Sequence, residues 1–213
     1  MFKKQTHFKK VFYFFIFFVL STSFLNTGAF SKDHNQTSLK VVYNLLSAKN
    51  FDKALNVLEE LSKQNNVKAQ HLYSQILYAG NIIPQDFEMS YYWSNISSLG
   101  GYKKSTKILK LLEDFLAEEQ KIEIKNNLRN FLEKHAMKKN KLAIIQIAKW
   151  HLNLSEEKDY TNAYKWFNVA VAVGIKSAIK KRNEIIGELS SEQILEAQKL
   201  SNEIFNKINQ SGG

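Results

Sequence analysis

The chain has 213 residues, with 30 lysines and arginines against 20 aspartates and glutamates, and a formal net charge of +10. Hydrophobic residues make up 44%, which excludes a disordered chain, and the absence of cysteine excludes disulfides, thiolate metal sites and cysteine nucleophiles. One proline and eight glycines argue against a turn-rich β-sandwich and favour helices. The length suits one domain or one repeat array.

The N-terminal region has the layout of an export signal. Four lysines within the first ten residues precede the segment 11–31, which carries no charge. Small residues at Thr27 and Ala29 permit cleavage after Ala29, so we expect residues 1–29 to be a signal peptide and 30–37 a linker. The expected location is then periplasmic or secreted. The alternative is an uncleaved anchor in the inner membrane, since about 20 apolar residues span a bilayer.

The positive charge belongs partly to this segment. Its four lysines and lack of acidic residues leave +6 for the rest of the chain, where the lysines are spread rather than clustered. We therefore expect no nucleic-acid partner, and a membrane contact only if the N-terminal segment is retained as an anchor.

Beyond Lys32 the apolar residues recur at i, i+3, i+4 and i+7, the spacing of amphipathic helices. Short breaks that contain asparagine or glycine separate the stripes. The first three stripes are Leu39, Val42, Tyr43 and Leu46; Ala54, Val57, Leu58 and Leu61; and Ala69, Leu72, Tyr73, Ile76 and Leu77.

From Asp86 onward the chain also resembles itself at a shift of 73 residues. The match extends upstream to Ala69 if the corresponding loop of the second copy is one residue shorter. The matched pairs include Asp86 and Asp159, Tyr91 and Tyr164, Trp93 and Trp166, and Gly101 and Gly174. A shift of 36 adds a further copy, so the basic unit is a helix–turn–helix of about 36 residues, typical of an α-solenoid. We predict one repeat domain over 38–209 and about five helix pairs, starting near Leu39, Lys68, Tyr102, Lys141 and Ile175.

Local signals mark several helix starts. Asp86 and Asp159 precede helices and are predicted to cap them. Ser190 and Gln193 form a predicted capping box, whereas Ala117, at the matching site, has lost its cap.

The segment from Ala69 to Ser105 resembles the Sel-one-like repeat, a relative of the tetratricopeptide repeat. The residues that carry this resemblance are Ala69-Gln70, Gly80, Ile83-Pro84-Gln85-Asp86-Phe87, Trp93, Gly100 or Gly101, and, in the second copy, Ala148, Asp159-Tyr160, Ala163, Trp166, Gly174 and Ala178. Ser74 departs from the family's glycine, and Leu77 and His151 depart from its tyrosine. The resemblance implies an all-α, right-handed α-α superhelix in which the first helix of each pair lines a concave surface.

Matched positions on those first helices give the candidate partner-binding residues. They are Lys68, His71, Gln75 and Tyr78 in one copy and Leu142, Ile145, Lys149 and Leu152 in the other. The implied ligand is a protein or peptide, with Lys68 and Lys149 favouring acidic groups on it.

Catalytic patterns do not emerge from the sequence. No two of the five histidines are spaced i, i+4, neighbouring glutamates on a helix point apart, and there is no phosphate-binding glycine loop. We therefore expect no catalytic, cofactor or metal site. The favoured hypothesis is an exported scaffold or adaptor in the cell envelope. The alternatives are an envelope enzyme or enzyme regulator acting on cell-wall material, and a membrane-anchored structural subunit.

Overall fold

The computed structural model describes the backbone of residues 33–210 and the side chains of residues 39–210, so the predicted signal or anchor segment lies outside the described residues. This part of the chain folds into ten α-helices and contains no strand. No helix within it combines the length and apolarity needed to cross a bilayer. The helices are α1 Asp33–Ser47, α2 Phe51–Lys63, α3 Val67–Ala79, α4 Phe87–Leu99, α5 Ser105–Leu112, α6 Glu118–Met137, α7 Lys141–Asn153, α8 Tyr160–Ala172, α9 Ala178–Ile186 and α10 Ser191–Gln210.

Helices α1 and α2, α3 and α4, and α7 and α8 pack as hairpins, whereas α5 and α6 both pack against α4, and α9 and α10 both pack against α8. The ten helices confirm the predicted all-α solenoid, although the third and fifth of the predicted helix pairs are joined through the helix that precedes them and not by direct packing. Helix α1 begins at Asp33, so the end of the segment 30–37, interpreted from the sequence as a linker, is already helical.

The helix bounds reproduce the 73-residue repeat. Helices α3 to α6 form a first copy and α7 to α10 a second copy, and corresponding helices begin 73 or 74 residues apart. The connection 80–86 in the first copy is one residue longer than 154–159 in the second, as the sequence match requires.

Small residues and tryptophans shape the core of each copy. In the first copy Ser74 and Ser90 are fully buried, and the Ser90 hydroxyl donates to the Ser74 carbonyl oxygen at 2.8 Å, which joins α4 to α3. Ala148 and Ala163 are fully buried at the corresponding positions of the second copy. The matched tryptophans Trp93 and Trp166 are also buried, and both belong to the main core.

The predicted caps are present. An Asp86 carboxylate oxygen accepts the Met89 backbone N–H at 2.9 Å, and Asp159 caps α8 in the same way. Ser190 and Gln193 bond reciprocally, whereas at Ala117 only the half in which the Gln120 side chain accepts the Ala117 N–H remains.

A buried chain of hydrogen bonds joins the two copies and the hairpin before them. The Gln70 amide donates to the Ser62 carbonyl oxygen at 3.1 Å and to Asn65 Oδ1 at 3.0 Å. Asn65 Nδ2 donates to Gln146 Oε1 at 2.7 Å, and Gln146 Nε2 donates to the Ile96 carbonyl oxygen at 2.8 Å. Helix α7 is thereby fixed against α4 and the α2–α3 turn. We refer to these groups as the amide chain.

A substitution at Gly100 tests the close approach of α3, α4 and α7. A Cβ atom there would overlap Val67 Cγ1 and lie 3.0 Å from Gln146 Nε2, although the backbone conformation suits any residue. We expect Gly100→Ala to lower the free energy of unfolding by about 1–3 kcal/mol through overpacking, and Val67→Ala to restore part of it.

Gly187→Ala is the matched control, because Gly187 is also right-handed at a helix end and its nearest neighbouring atom would be 3.8 Å away. Urea denaturation of the wild type, Gly100→Ala, Gly187→Ala and the double variant Gly100→Ala with Val67→Ala provides the measurement. Equal stability of Gly100→Ala and Gly187→Ala would contradict the close packing.

Candidate interaction face

The four predicted residues of α3 differ in exposure. Lys68 is exposed, Gln75 and Tyr78 are half-buried, and His71 is only 7% exposed. The Tyr78 ring stacks on Phe87 with 5.8 Å between centroids. His71 therefore contacts mainly other residues of the chain, while Lys68 faces solvent.

A run of hydroxyl groups holds the His71 ring. Ser97 donates to the Val67 carbonyl oxygen at 2.7 Å, and Ser105 donates to Ser97 at 2.9 Å. Because the single hydroxyl proton of Ser105 is used in this way, His71 Nδ1, 3.0 Å from Ser105 Oγ, is the donor of the pair. Nδ1 of the ring therefore carries a hydrogen, as it does in the neutral Nδ1–H tautomer.

Electrostatics agree with a neutral His71. Burial lowers the His71 pKa to about 4, and the positive charge of Lys104 adds to the shift. The ring also packs against Tyr102, with 4.8 Å between centroids. At neutral pH this position therefore carries no charge.

A surface that the sequence did not predict surrounds His71. Tyr43 of α1 is 40% exposed, and its pKa is raised by burial and by the neighbouring Tyr102 phenol. Tyr102 contacts His71, Lys104 acts on His71 electrostatically, and Lys68 lies one helical turn before His71. We name Tyr43, Lys68, Tyr102 and Lys104 the tyrosine–lysine patch. Tyr43, a member of the first apolar stripe, is therefore partly exposed beside Tyr102, whereas Leu39 and Val42 of the same stripe are buried.

The four predicted residues of α7 are engaged differently. Lys149 Nζ donates to the Leu99 carbonyl oxygen at 2.9 Å, and burial lowers the Lys149 pKa. Ile145 and Leu152 pack against the main core, and Leu142 is half-buried. The Lys149 ammonium thus bridges α7 to the end of α4, whereas His71 of α3 contacts the start of α5 and Tyr78 contacts the start of α4.

The second buried histidine has a local partner. His151 Nδ1 lies 3.1 Å from Asp159 Oδ2, and the same aspartate caps α8. Burial lowers the His151 pKa to about 4, although the Asp159 carboxylate opposes this shift. This contact closes the connection between α7 and α8.

One cleft between α4 and α6 contains two carboxylates. It has a volume of about 220 Å³ and is lined by Glu88, Tyr92, Gln120 and Glu123 among others. Both glutamates are exposed, and Glu88 accepts a hydrogen bond from the Gln120 amide at 2.6 Å. Within residues 39–210, no three histidine, aspartate or glutamate side chains converge to hold a metal ion.

Comparisons with known proteins find one distant structural similarity to report. A protective antigen present in uropathogenic Escherichia coli strains, whose crystal structure displays an SLR fold, aligns with a TM-score of 0.37 and 16% identity. The alignment covers 84% of this chain and 47% of that protein, so the chain spans about half its length. This similarity is too distant to assign a family or a function. No protein-family model matches the sequence, and no curated protein matches it.

The buried histidines predict a loss of stability in mild acid. For His71 and His151 the folded-state pKa is about 4, against 6.5 for an exposed histidine, so the unfolded chain binds more protons below pH 6.5. The contribution of the two neutral histidines to the free energy of unfolding is fully present above pH 6.5. It declines as the pH falls towards 4, by up to about 3 kcal/mol for each histidine.

Urea denaturation between pH 7.5 and 4 measures this decline. A His71→Gln variant removes one titrating ring and changes no other charge. Lys104 still lies near position 71, and His151 keeps its charged neighbours, which are Asp159, Lys165 and Arg129. We expect that variant to lose less stability on acidification than the wild type. Parallel pH profiles would show that His71 is not the titrating group.

Proposed function

We propose that this chain is a protein-interaction module of the Sel-one-like type, a helical-repeat scaffold or adaptor that acts in the cell envelope. The observation that carries the proposal is the tyrosine–lysine patch. It brings the exposed side chains of Tyr43, Lys68 and Lys104 and the half-buried ring of Tyr102 to one surface, around a neutral and fixed His71. The 73-residue repeat and the resemblance of Ala69 to Ser105 to the family pattern support the same type of protein.

The chemistry of the patch favours an acidic protein segment as ligand. Tyr43 and Tyr102 offer large rings with polar tips, a combination that interfaces use often. Lys68 and Lys104 supply the positive charge of the patch. His71 adds no charge at neutral pH, because its ring is uncharged there. The ammonium groups would attract acidic side chains while the phenols contact the apolar parts of the segment. Gln75 and Tyr78 continue α3 beyond the patch and are proposed as further contacts.

The alternative from the sequence, an enzyme acting on cell-wall material, finds less support. His71 faces a serine hydroxyl and His151 a helix-capping aspartate, which are structural partners. The carboxylates of the cleft between α4 and α6 are exposed to solvent. We therefore favour binding without catalysis.

Charge reversal within the patch tests this proposal. A variant with Lys68→Glu and Lys104→Glu should lose partner proteins captured from an envelope extract, with at least about a tenfold drop in affinity once a partner is purified. The control, Lys176→Glu and Lys180→Glu, changes exposed lysines near α9 by the same total charge. Equal retention of partners by both variants would contradict a binding role for the patch.

The cellular location has its own test. We propose that residues 1–29 are removed during export, which leaves a periplasmic or secreted protein. Mass spectrometry of the protein from fractionated cells should then find an N-terminus near residue 30 in the periplasmic or secreted fraction. An intact Met1 in the membrane fraction would overturn cleavage and favour the anchored alternative.

A further inference from the structure

Helix α7 occupies a defined seat on the first copy. The polar part of this seat is the Asn65 side chain, which binds Gln146, and two carbonyl oxygens at the end of α4. The Ile96 carbonyl accepts from Gln146 at 2.8 Å and the Leu99 carbonyl accepts from Lys149 at 2.9 Å. Side chains spaced i and i+3 on α7 therefore bind the seat.

The apolar part of the seat comes from α6. Leu132 and Ala136 are fully buried, and they belong to the same core cluster as Ala143 and Ile147 of α7. We call the combined surface of the α2–α3 turn, the end of α4 and the end of α6 the α7 seat.

The second copy contains the same seat without a described helix on it. The repeat shift replaces Asn65 by Lys139, Leu99 by Ala172 and Leu132 by Phe205. The turn keeps its conformation, because φ is 66° at Asn65 and 63° at Lys139. Helix α10 ends at Gln210, and no helix of the described chain takes the place that α7 takes on the first copy.

An open cleft marks this second seat. Its volume is about 460 Å³, and the residues that line it include Lys139, Lys141, Ala172, Val173, Phe205 and Ile208. Ala136 of α6 is fully buried beneath α7, whereas the corresponding Asn209 of α10 is exposed. The cleft is therefore the counterpart of a surface that the first copy covers with a helix.

We propose that this cleft binds an amphipathic α-helix of a partner protein, seated as α7 is on the first copy, with an acidic side chain facing Lys139. The first copy shows what fills such a seat, namely one face of a helix. Lys139 and Lys141 set the charge, because neither forms an ion pair with a described residue and no carboxylate lines the cleft. Where Asn65 donates to a neutral amide oxygen, a lysine ammonium binds a carboxylate more strongly.

The geometry also defines a pattern for the bound helix. An acidic residue replaces Gln146, and a lysine three residues later donates to the Ala172 carbonyl oxygen, which matches that of Leu99. Small or apolar residues at the places of Ala143 and Ile147 face Phe205. A second copy of this chain does not offer its α7, since Ile147 and Ala148 are fully buried in their own array. Within this proposal the occupant is a helix of a partner protein.

A peptide derived from α7 provides the probe. It has the sequence of Lys141–Asn153 with Gln146→Glu, is acetylated and amidated, and carries a fluorescein label. The matched control peptide has Gln146→Lys instead. Both peptides are short and only partly helical when free, so the cost of folding is similar for both and cancels in the comparison.

Fluorescence anisotropy with the full chain then measures binding. We expect the glutamate peptide to bind the wild type roughly tenfold more tightly than the lysine peptide, and Lys139→Asn with Lys141→Gln to remove this preference. Asparagine occupies the matching position 65 with the same positive φ, so Lys139→Asn keeps the backbone conformation of the turn. Ala172→Trp, at an exposed position, should block both peptides by filling the cleft.

Several results would overturn the proposal. One is that the glutamate peptide does not bind the wild type. Another is that it binds the wild type and Ala172→Trp equally well. A third is that replacing Lys139 and Lys141 leaves the preference for the glutamate peptide unchanged. Conversion of a dimer into a monomer by Ala172→Trp would show that a second copy fills the cleft. The variant with Lys68→Glu and Lys104→Glu leaves this site intact, so the cleft and the tyrosine–lysine patch can fail independently.

Discussion

Two glutamines and one asparagine fix the position of the second copy relative to the first. The amide chain runs from the Ser62 carbonyl through Gln70, Asn65 and Gln146 to the Ile96 carbonyl. Its side chains are buried. A buried amide group that lacks a hydrogen bond destabilises the fold, because apolar contacts do not offset the loss of its hydrogen bonds to water. Apolar contacts are non-directional, so many rotations of α7 against α4 would bury similar area. The four hydrogen bonds of the amide chain form together in one of them, although Gln70 Oε1 has no hydrogen-bond partner among the described residues. The register of the later helices depends on these bonds.

Repeat arrays bury each unit against its neighbours, so the same helix bounds produce different surfaces at different places in the array. The α7 seat illustrates this. In the first copy its asparagine and carbonyl oxygens are consumed by Gln146 and Lys149 of the next helix. In the second copy the equivalent turn carries Lys139 beside an open cleft. At the other end, Tyr43, Tyr102 and the nearby lysines remain accessible around His71. The proposed interactions thus use surfaces that repeat packing leaves uncovered.

The sequence predicted the helices because their signals are local or periodic. Apolar spacing, the aspartate caps and the 73-residue match of Trp93 with Trp166 all depend on short segments or on comparison of the chain with itself. Contacts between distant polar residues were not predictable in this way. His71 is buried because Ser105, 34 residues later, satisfies its ring nitrogen. Lys149 turns inward because the Leu99 carbonyl lies within reach.

Exposure of amphipathic residues was equally hard to predict. Tyrosine suits both a core stripe and a surface, and Tyr43 occupies a helix position consistent with either. The sequence did contain one signal that went unused, since the repeat shift places Lys139 on Asn65. That replacement marks the difference between the filled seat and the open cleft.

A double-mutant cycle between Asn65 and Gln146 tests the central claim most directly. The free energy of unfolding is measured by urea denaturation for Asn65→Ala, Gln146→Ala, the double variant and the wild type. If the amide chain fixes the two copies, the two substitutions couple by at least about 1 kcal/mol, although 81 residues separate them. Additive effects, within about 0.5 kcal/mol, would show that the two side chains act independently and that another contact holds α7 in place.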